Sequence, residues 1–404
     1  MEFLEEMEYA GDIPEGWKWV KLGEIVFINS KNLTSNYQYD EIYYLETGSI
    51  VKGRLVSPYK KFYLKEAPRR AERIVNDGDI VYSLVRPIQR HYGIIKNPPE
   101  NLIVSTGFAV ITADNSKVDN RFIYYYLTLD EIVEYLDSIA EGSTTAYPSI
   151  VPDDLKNLII PLPPLPEQKA IADVLSSIDN KIELLHRQNK TLEEMAMTLF
   201  RQWFIEPTKD GLPEGWEERK LKDIYIFEKG IEPGSKNYLE TPSDDAVRFI
   251  RVGDMLDNKA DVYIKKDLAG NSICKFDDLL VSFDGTVGRV SFGLVGCYSS
   301  GIRKIYSKDE VYNKLWLKHQ IFISEEIQDE INMHAEGTTI LHASSSIDYL
   351  SFVFPPKEKI NEYDKFFEPI YNKILHNKAQ IQTLEKLRDT LLPKLMSGEI
   401  RVKI

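Results

Sequence analysis

Ile13-Pro14-Glu15-Gly16-Trp17 returns as Leu212-Pro213-Glu214-Gly215-Trp216, and each copy opens a segment that passes a proline-rich stop and ends in a long run of heptad-spaced apolar residues. A repeat constrains a fold tightly, because whatever one copy builds the other must build as well. Further pairs keep the same order at an offset of roughly 190 to 200 residues. Gly78-Asp79-Ile80-Val81-Tyr82-Ser83 matches Asp277-Asp278-Leu279-Leu280-Val281-Ser282, and Ser105-Thr106-Gly107-Phe108-Ala109 matches Ser299-Ser300-Gly301-Ile302-Arg303. Glu141-Gly142-Ser143-Thr144-Thr145 matches Glu336-Gly337-Thr338-Thr339-Ile340, and Leu158-Ile159-Ile160-Pro161 matches Phe352-Val353-Phe354-Pro355. The chain reads as two similar heads and two similar rods, which suits a partner that also comes in two halves.

Within each head, short β-branched or aromatic runs bounded by Gly, Pro, Asn or Ser predict strands and turns, as at Glu41 to Glu46, Ile80 to Val85 and Ile103 to Thr112. Apolar residues at Phe122, Ile123, Tyr126, Leu127, Ile132, Val133 and Leu136 predict one amphipathic helix over Asn120 to Leu136, with Lys314 to His334 as its counterpart. The heads are expected to be α+β, with many of the 23 tyrosines in their cores and polar turns as contact surface.

The rods carry apolar residues three and four apart. The first series is Ile171, Leu175, Ile178, Ile182, Leu185, Asn189, Leu192, Ala196, Leu199, Trp203, and the second is Tyr363, Phe367, Ile370, Ile374, Asn377, Ile381, Leu384, Arg388, Leu391, Leu395. Both series begin after prolines, Pro161 to Pro166 and Pro355-Pro356, which cannot sit inside a helix. Pro369 is expected to kink the second rod or to delay its start. Neither stripe is stable alone in water, so the two are expected to bury each other as an antiparallel coiled coil. In the favoured register Asn189 faces Asn377, Leu185 faces Ile381 and Ala196 faces Ile370, because an unpaired buried amide costs about 1 to 3 kcal/mol. A rod of about 40 residues spans roughly 60 Å and acts as a spacer.

With a net charge of −13 the chain at first argues against a polyanionic partner. Locally the sign reverses: Tyr59-Lys60-Lys61-Phe62-Tyr63-Leu64-Lys65 leads to Arg69, Arg70 and Arg73, then to Arg86, Arg90 and His91. The second half has a thinner set in Arg248, Arg251, Lys265, Lys266, Arg289, Arg303 and Lys304. An acidic remainder would repel DNA everywhere except at intended grooves. Cys274 and Cys297 are the only cysteines and read as buried free thiols. No apolar run approaches the 18 or so residues of a membrane span, and Met1 to Glu8 lacks the zones of a signal peptide, so a cytoplasmic protein is expected.

Catalytic patterns are missing. Asn97-Pro98-Pro99-Glu100 starts like an adenine-methyltransferase motif, but Glu100 replaces the aromatic that would stack on a flipped base. Asp284-Gly285-Thr286-Val287-Gly288-Arg289 lacks the Gly-Lys-Ser/Thr ending of a phosphate loop and reads as a strand-linking turn that brings Arg289 outward. The six histidines show no metal-ligand spacing.

Taken together, the Pro-Glu-Gly-Trp openings, Leu162-Pro163-Pro164-Leu165-Pro166-Glu167-Gln168-Lys169-Ala170-Ile171-Ala172, and the closing Leu391-Leu392-Pro393-Lys394-Leu395-Met396-Ser397-Gly398-Glu399-Ile400 resemble a type I restriction-modification specificity subunit over essentially the full length. One departure is Pro355-Pro356-Lys357-Glu358-Lys359, which lacks the Glu-Gln pair. The resemblance implies target recognition domains at residues 1–160 and 207–355, a central conserved helix at 161–206 and a C-terminal one at 356–404, in a pseudo-two-fold repeat. It implies that each head reads one half of a bipartite site in double-stranded DNA while the helices set the unread spacer. It further implies docking of two methylation subunits, which would carry S-adenosylmethionine, and of an endonuclease/translocase subunit. The chain itself is expected to hold no cofactor or metal, to perform no catalysis and to touch no membrane.

Chemistry favours Arg and Lys for guanine or phosphate, Asn and Gln for adenine, and Ser or Thr for either. Candidates in the first head are Lys60, Lys61, Arg69, Arg70, Arg86, Gln89 and Arg90, with Ser143, Thr144, Thr145 and Tyr147 on a polar turn. Those in the second head are Arg251, Lys265, Lys266, Thr286, Arg289, Thr338 and Thr339. The rod core is expected at Leu175, Ile178, Ile182, Leu185, Asn189, Leu192, Ile370, Ile374, Asn377, Ile381 and Leu384. Two alternatives stand beside this reading: a fragment of a fused methyltransferase-nuclease, against which the missing catalytic block speaks, and a coiled-coil protein-bridging scaffold without DNA specificity, which would not need two differently surfaced heads.

Overall fold

The computed structural model of the protein describes residues 13–143, 147–257, 262–337 and 341–403. The chain divides into two compact units, Met1–Lys181 with Leu384–Ile404, and Ile182–Thr383. Each unit therefore holds one head together with a segment of both long helices, a division that does not follow the chain linearly.

Among the described residues twelve strands build the first unit: β1 (Lys18–Lys21), β2 (Val26–Ile28), β3 (Glu41–Leu45), β4 (Ile50–Val51), β5 (Arg54–Leu55), β6 (Lys60–Tyr63), β7 (Ala71–Ile74), β8 (Ile80–Ser83), β9 (Tyr92–Ile94), β10 (Leu102–Ser105), β11 (Phe108–Ala113) and β12 (Ile159–Leu162). They form two four-stranded sheets, β6-β3-β10-β7 and β2-β11-β8-β9, and the pairs β1-β12 and β4-β5. The second unit repeats this plan with β13 (Glu217–Lys220), β14 (Ile226–Lys229), β15 (Ala246–Ile250), β16 (Tyr263–Lys265), β17 (Ile273–Cys274), β18 (Leu279–Ser282), β19 (Asp284–Gly285), β20 (Val290–Ser291), β21 (Gly296–Tyr298), β22 (Ile302–Tyr306), β23 (Leu341–His342) and β24 (Ser351–Phe354). Its sheets are β16-β15-β21-β17 and β14-β22-β18-β20, with the pairs β13-β24 and β19-β23. Strand order and direction match, including a parallel strand pairing in each head, β10 with β3 and β21 with β15.

The repeated motifs have local physical causes. In Pro-Glu-Gly-Trp the glycine sits at positive φ (Gly16, 87°; Gly215, 77°), as the third residue of a type II turn requires, and the tryptophan N–H donates back to the proline carbonyl at 3.0 and 3.1 Å. Each turn buries its Trp and sets its glycine against the proline stop: a Cβ on Gly16 would meet Pro164, and one on Gly215 would meet Pro356. Asp79 and Asp278 each accept from the backbone N–H three residues earlier, both at 2.7 Å, closing the turn that starts β8 and β18. Cys274 and Cys297 are buried free thiols, the first reaching the Leu294 and Gly296 carbonyls.

Several expectations need correction. The single helix expected over Asn120 to Leu136 is two, α1 (Asn120–Leu127) and α2 (Asp130–Glu141). Leu129 is extended there, and the Thr128 hydroxyl bonds back to the Tyr125 carbonyl at 2.8 Å, so a polar side chain competes with the next turn. The run from Ile103 to Thr112 is likewise broken, because Thr106 and Gly107 turn the chain from the sheet of β10 to the sheet of β11.

The first long helix, α3, runs Leu165–Phe200. In the second head, α4 (Leu315–Ile323) and α5 (Glu325–Met333) repeat the break of the first at extended Ser324. The second long helix, α6, runs Lys357–Ser397. Pro369 does not delay its start. The hydrogen bond lost there is outweighed by packing, because Phe367 stacks on Trp316 at 4.2 Å, and Tyr363 stacks on Trp203 at 4.8 Å.

The long helices pair antiparallel within each unit. In the second unit the Asn377 side-chain amide donates to the Asn189 amide oxygen at 2.9 Å, and Ala196 shares a core with Ile370 and Ile374. In the first, Arg388 meets Asp179 at 3.1 Å, and Ile171 and Leu175 share a core with Leu395 and Met396. Leu175, Ile178, Ile182, Leu185, Ile370, Ile374 and Ile381 are buried, as are both asparagines, while Leu192 and Leu384 are half-buried.

Candidate nucleic-acid interface

The parallel pairing of β3 with β10 aligns their C-terminal ends, Leu45 opposite Val104, and this gathers residues distant in sequence. Lys60 enters β6 opposite Tyr44, and the Arg70 carbonyl accepts from Thr106 N–H at 2.8 Å, so Lys60, Arg69 and Arg70 belong to the same end of the sheet. Beyond Gly107 the chain enters β11, where Phe108 pairs with Ser83 and Leu84 N–H donates to the Gly107 carbonyl, bringing in the turn from Leu84 to His91. Arg86 N–H in turn donates to Pro148, and its guanidinium lies 5.9 Å from the Tyr147 ring. One end of the head thus collects Lys60, Arg69, Arg70, Arg86, Gln89, Ser143 and Tyr147.

That turn is strained. Arg86 and Arg90 both sit in the left-handed region, at φ 46° and 57°. Non-glycine residues there typically cost about 1 kcal/mol or more, and such outliers concentrate at functional surfaces. It is held by Ile88 N–H on Asp137 at 3.1 Å and by Arg90 on Asp130 at 2.6 Å. Arg90 is consequently only 18% exposed, with its guanidinium engaged as the brace of the turn. Lys60 and Lys61 are exposed but paired, with Glu46 and Glu41, both at 2.6 Å; the bond to Glu41 holds the Lys61 ammonium above its ordinary pKa. Arg69, Arg70 and Gln89 are exposed, and no ion pair engages Arg69, Arg70 or Arg86 among the described residues. Ser143 accepts from Ser149 N–H. Thr144 and Thr145 lie outside the described residues.

The second head builds the same end from the same connections. Ser299 N–H donates to Ile250, and both Phe283 and Asp284 N–H donate to Gly301. Ser282 Oγ donates to the Thr286 carbonyl at 2.6 Å and accepts Arg289 N–H at 2.9 Å, as buried Ser83 closes the equivalent turn on Val85. Thr286 is exposed at its tip. Arg289 is tied through Nη1 to the Val252 carbonyl at 2.9 Å, and Arg251 is laid along Asp254. His342 meets Asp284 at 2.8 Å beside them.

Lys265 and Lys266 are not part of this end. Lys265 pairs with Ala246 at the start of β15, and Lys266 Nζ donates to the Asp244 carbonyl, so the strand's length separates both from Arg251. The sequence shows which strand they are on but not its direction. Arg303 is buried, donating to the Ser300 and Ile302 carbonyls and to Ser344 Oγ, and is a structural residue. Thr338 and Thr339 lie outside the described residues.

Sequence reasoning missed Lys52 and Arg54, which flank Gly53 at the tip of the β4–β5 hairpin; a Lys-Gly pair between two short apolar runs was the available signal. Asn97-Pro98-Pro99-Glu100 is a turn, with Leu102 N–H on Pro99 and Glu100 accepting from Tyr39. No group of His, Cys, Asp and Glu among the described residues could hold a metal ion, and no described helix is long and apolar enough to cross a membrane.

Residues 14–194 and again 213–386 match the family described as type I restriction modification DNA specificity domain. The chain is 27% identical to the type I restriction enzyme HindI specificity subunit of Haemophilus influenzae over 473 aligned positions, covering 95% of this chain and 99% of that one. It is 28% identical to the MjaIX specificity subunit of Methanocaldococcus jannaschii, covering 94% and 88%. Among solved structures, the type I restriction-modification S subunit from M. genitalium aligns over 96% of this chain and 97% of that one, with a TM-score of 0.54 at 17% identity, a likeness of fold.

Proposed function

The chain belongs to the type I restriction-modification DNA specificity family, and from that premise we infer that its heads, within residues 1–160 and 207–355, each read one half of a bipartite DNA target. The protein is a specificity subunit: it selects DNA and leaves chemistry to other subunits of its complex. The observation that carries the finer reading is the repeated sheet end, where one scaffold presents two different sets of turns. Two identical readers would recognise a symmetric site, whereas turns that differ as Arg86-Pro87-Ile88-Gln89 and Thr286-Val287-Gly288-Arg289 do require different half-sites.

In this reading the paired helices hold the half-sites at a fixed spacing and dock two methylation subunits, which bind S-adenosylmethionine, while an endonuclease/translocase subunit joins for cleavage. Co-purification with the methylation subunit, followed by adenine-methylation mapping of exposed DNA, tests it. A bipartite motif with a constant gap is expected. A single continuous motif would overturn the two-reader assignment.

A further inference from the structure

Between β3 and β6 the first head carries a hairpin that has no counterpart among the described residues between β15 and β16. Ile50 pairs with Leu55 and Val51 with Arg54, leaving Lys52-Gly53 as a two-residue turn with φ of 46° and 78°. Such turns favour Asn or Gly in their first position, and a lysine held there is strained. The hairpin is nonetheless firmly seated. Lys52 N–H donates to the Arg90 carbonyl and Gly53 N–H to the Tyr92 carbonyl, both at 2.8 Å, while His91 Nδ1 bonds the Ile50 carbonyl at 2.8 Å. A Cβ on Gly53 would overlap the Tyr124 hydroxyl, so the tip is pressed on α1. It is thereby locked to the far side of the turn that begins at Arg86.

Lys52 and Arg54 are exposed and adjacent on this rigid tip. Glu385 of α6 lies near them: burial raises its carboxyl pKa, and Arg388, then Arg54 and Lys52, oppose the rise. In the second head the chain after β15 instead forms a short helix, Asp254–Asp257, whose first carboxylate binds Arg251. The described part of the corresponding segment in the second head carries Asp254 and Asp257 beside Arg251.

We propose that the Lys52-Gly53-Arg54 hairpin clamps the phosphate backbone beside the first half-site without reading bases. A two-residue turn is too short to carry a row of base-edge contacts, whereas a compact ammonium and a guanidinium on a fixed backbone match phosphate oxygens. This inference rests on the reading of the chain as a DNA-specificity subunit.

The test uses the complex with the methylation subunit, a duplex carrying the mapped motif and a scrambled duplex. In the double variant Lys52→Asn, Arg54→Gln the asparagine keeps the left-handed turn. Affinity should fall roughly 10-fold on both duplexes near physiological salt, the log–log salt slope should drop by about 2, and the methylated motif should not change. Lys265→Gln, Lys266→Gln removes equal charge from the opposite end of the second head's sheet and should leave the slope unchanged. Unaltered affinity and slope in the hairpin variant would overturn the clamp, as would a loss confined to the motif duplex with a changed first half-site. If the wild-type complex binds neither duplex, the DNA-specificity reading itself fails.

Discussion

The two heads hang the same pair of four-stranded sheets on the same connections, yet present different chemistry where their turns gather. The first offers Lys60, Arg69, Arg70 and Arg86 around a strained turn; the second offers exposed Thr286, an arginine tied to a backbone carbonyl and a His342–Asp284 pair. The anchors of head on rod differ too. In the first unit Tyr125 donates to Asp179 at 2.7 Å, where Arg388 also binds; in the second, His319 and Gln320 both bond the Tyr371 hydroxyl, and burial pushes the imidazole pKa down to about 3, keeping it neutral. The scaffold is held by strand pairing and apolar packing, which tolerate such exchanges at the turns and at the anchors.

The largest expected asymmetry lies at the starts of the long helices. Glu167, only 1% exposed, accepts from Trp17 Nε1 at 3.1 Å and from Arg401 at 2.6 and 2.8 Å, whereas Lys359 in the second copy is exposed. Glu167→Ala should destabilise the first unit by about 2 to 3 kcal/mol, below the full value for a buried pair because Arg401 is half-exposed, and Lys359→Ala by less than about 0.5. Equal losses in urea unfolding would erase this difference between the copies.

Lys318 in α4 is buried, its Nζ donating to the Ile305 carbonyl and Asn313, and burial lowers its pKa from 10.5 to about 8; α1 contains no lysine. Below pH 8 the folded protein bears the full penalty. Between about 8 and 10.5 the unfolded chain binds more protons, so stability of the second unit should rise with pH by roughly 3 kcal/mol. Comparing wild type with Lys318→Met at pH 7 and 10 isolates the effect, and identical pH profiles would refute it.

Asn189 and Asn377 occupy non-equivalent places in the repeat, opposite each other. Asn377→Leu strands a buried amide and should cost about 1 to 3 kcal/mol, whereas Asn189→Leu combined with Asn377→Leu should restore most of it. A double variant as weak as the single would show that the pair does not set stability, and cysteine cross-linking at Leu185 and Ile381 would then report whether the register has slipped.

For recognition, Arg86→Ala and Arg289→Ala should each weaken DNA binding by about 1 to 2 kcal/mol and relax methylation at one half-site only. Relaxation of both half-sites by one substitution would break the assignment of one reader per head. The smallest effect belongs to Lys265→Ala and Lys266→Ala, expected to change affinity less than about 2-fold because these lysines lie at the other end of the sheet.

Much of this was legible beforehand for one reason: periodicity and punctuation act locally. Heptad spacing alone defines which faces of α3 and α6 are apolar, and two polar intruders alone choose the register in which Asn189 meets Asn377. The break at Thr128 was not legible, because the apolar period continues through it while a hydroxyl and an extended Leu129 end the helix. Arg90 and Arg303 look like Arg86 in sequence, but Asp130 in one case and backbone carbonyls with Ser344 in the other take up their donors.

By itself the sequence determined two heads, two rods and their antiparallel pairing, since each follows from spacing along a chain that must bury its apolar stripe. Which cations face a ligand was decided only by tertiary structure. The parallel strands β3 and β10, or β15 and β21, bring together ends that are far apart in sequence, and partners from other strands determine whether an arginine is presented or consumed.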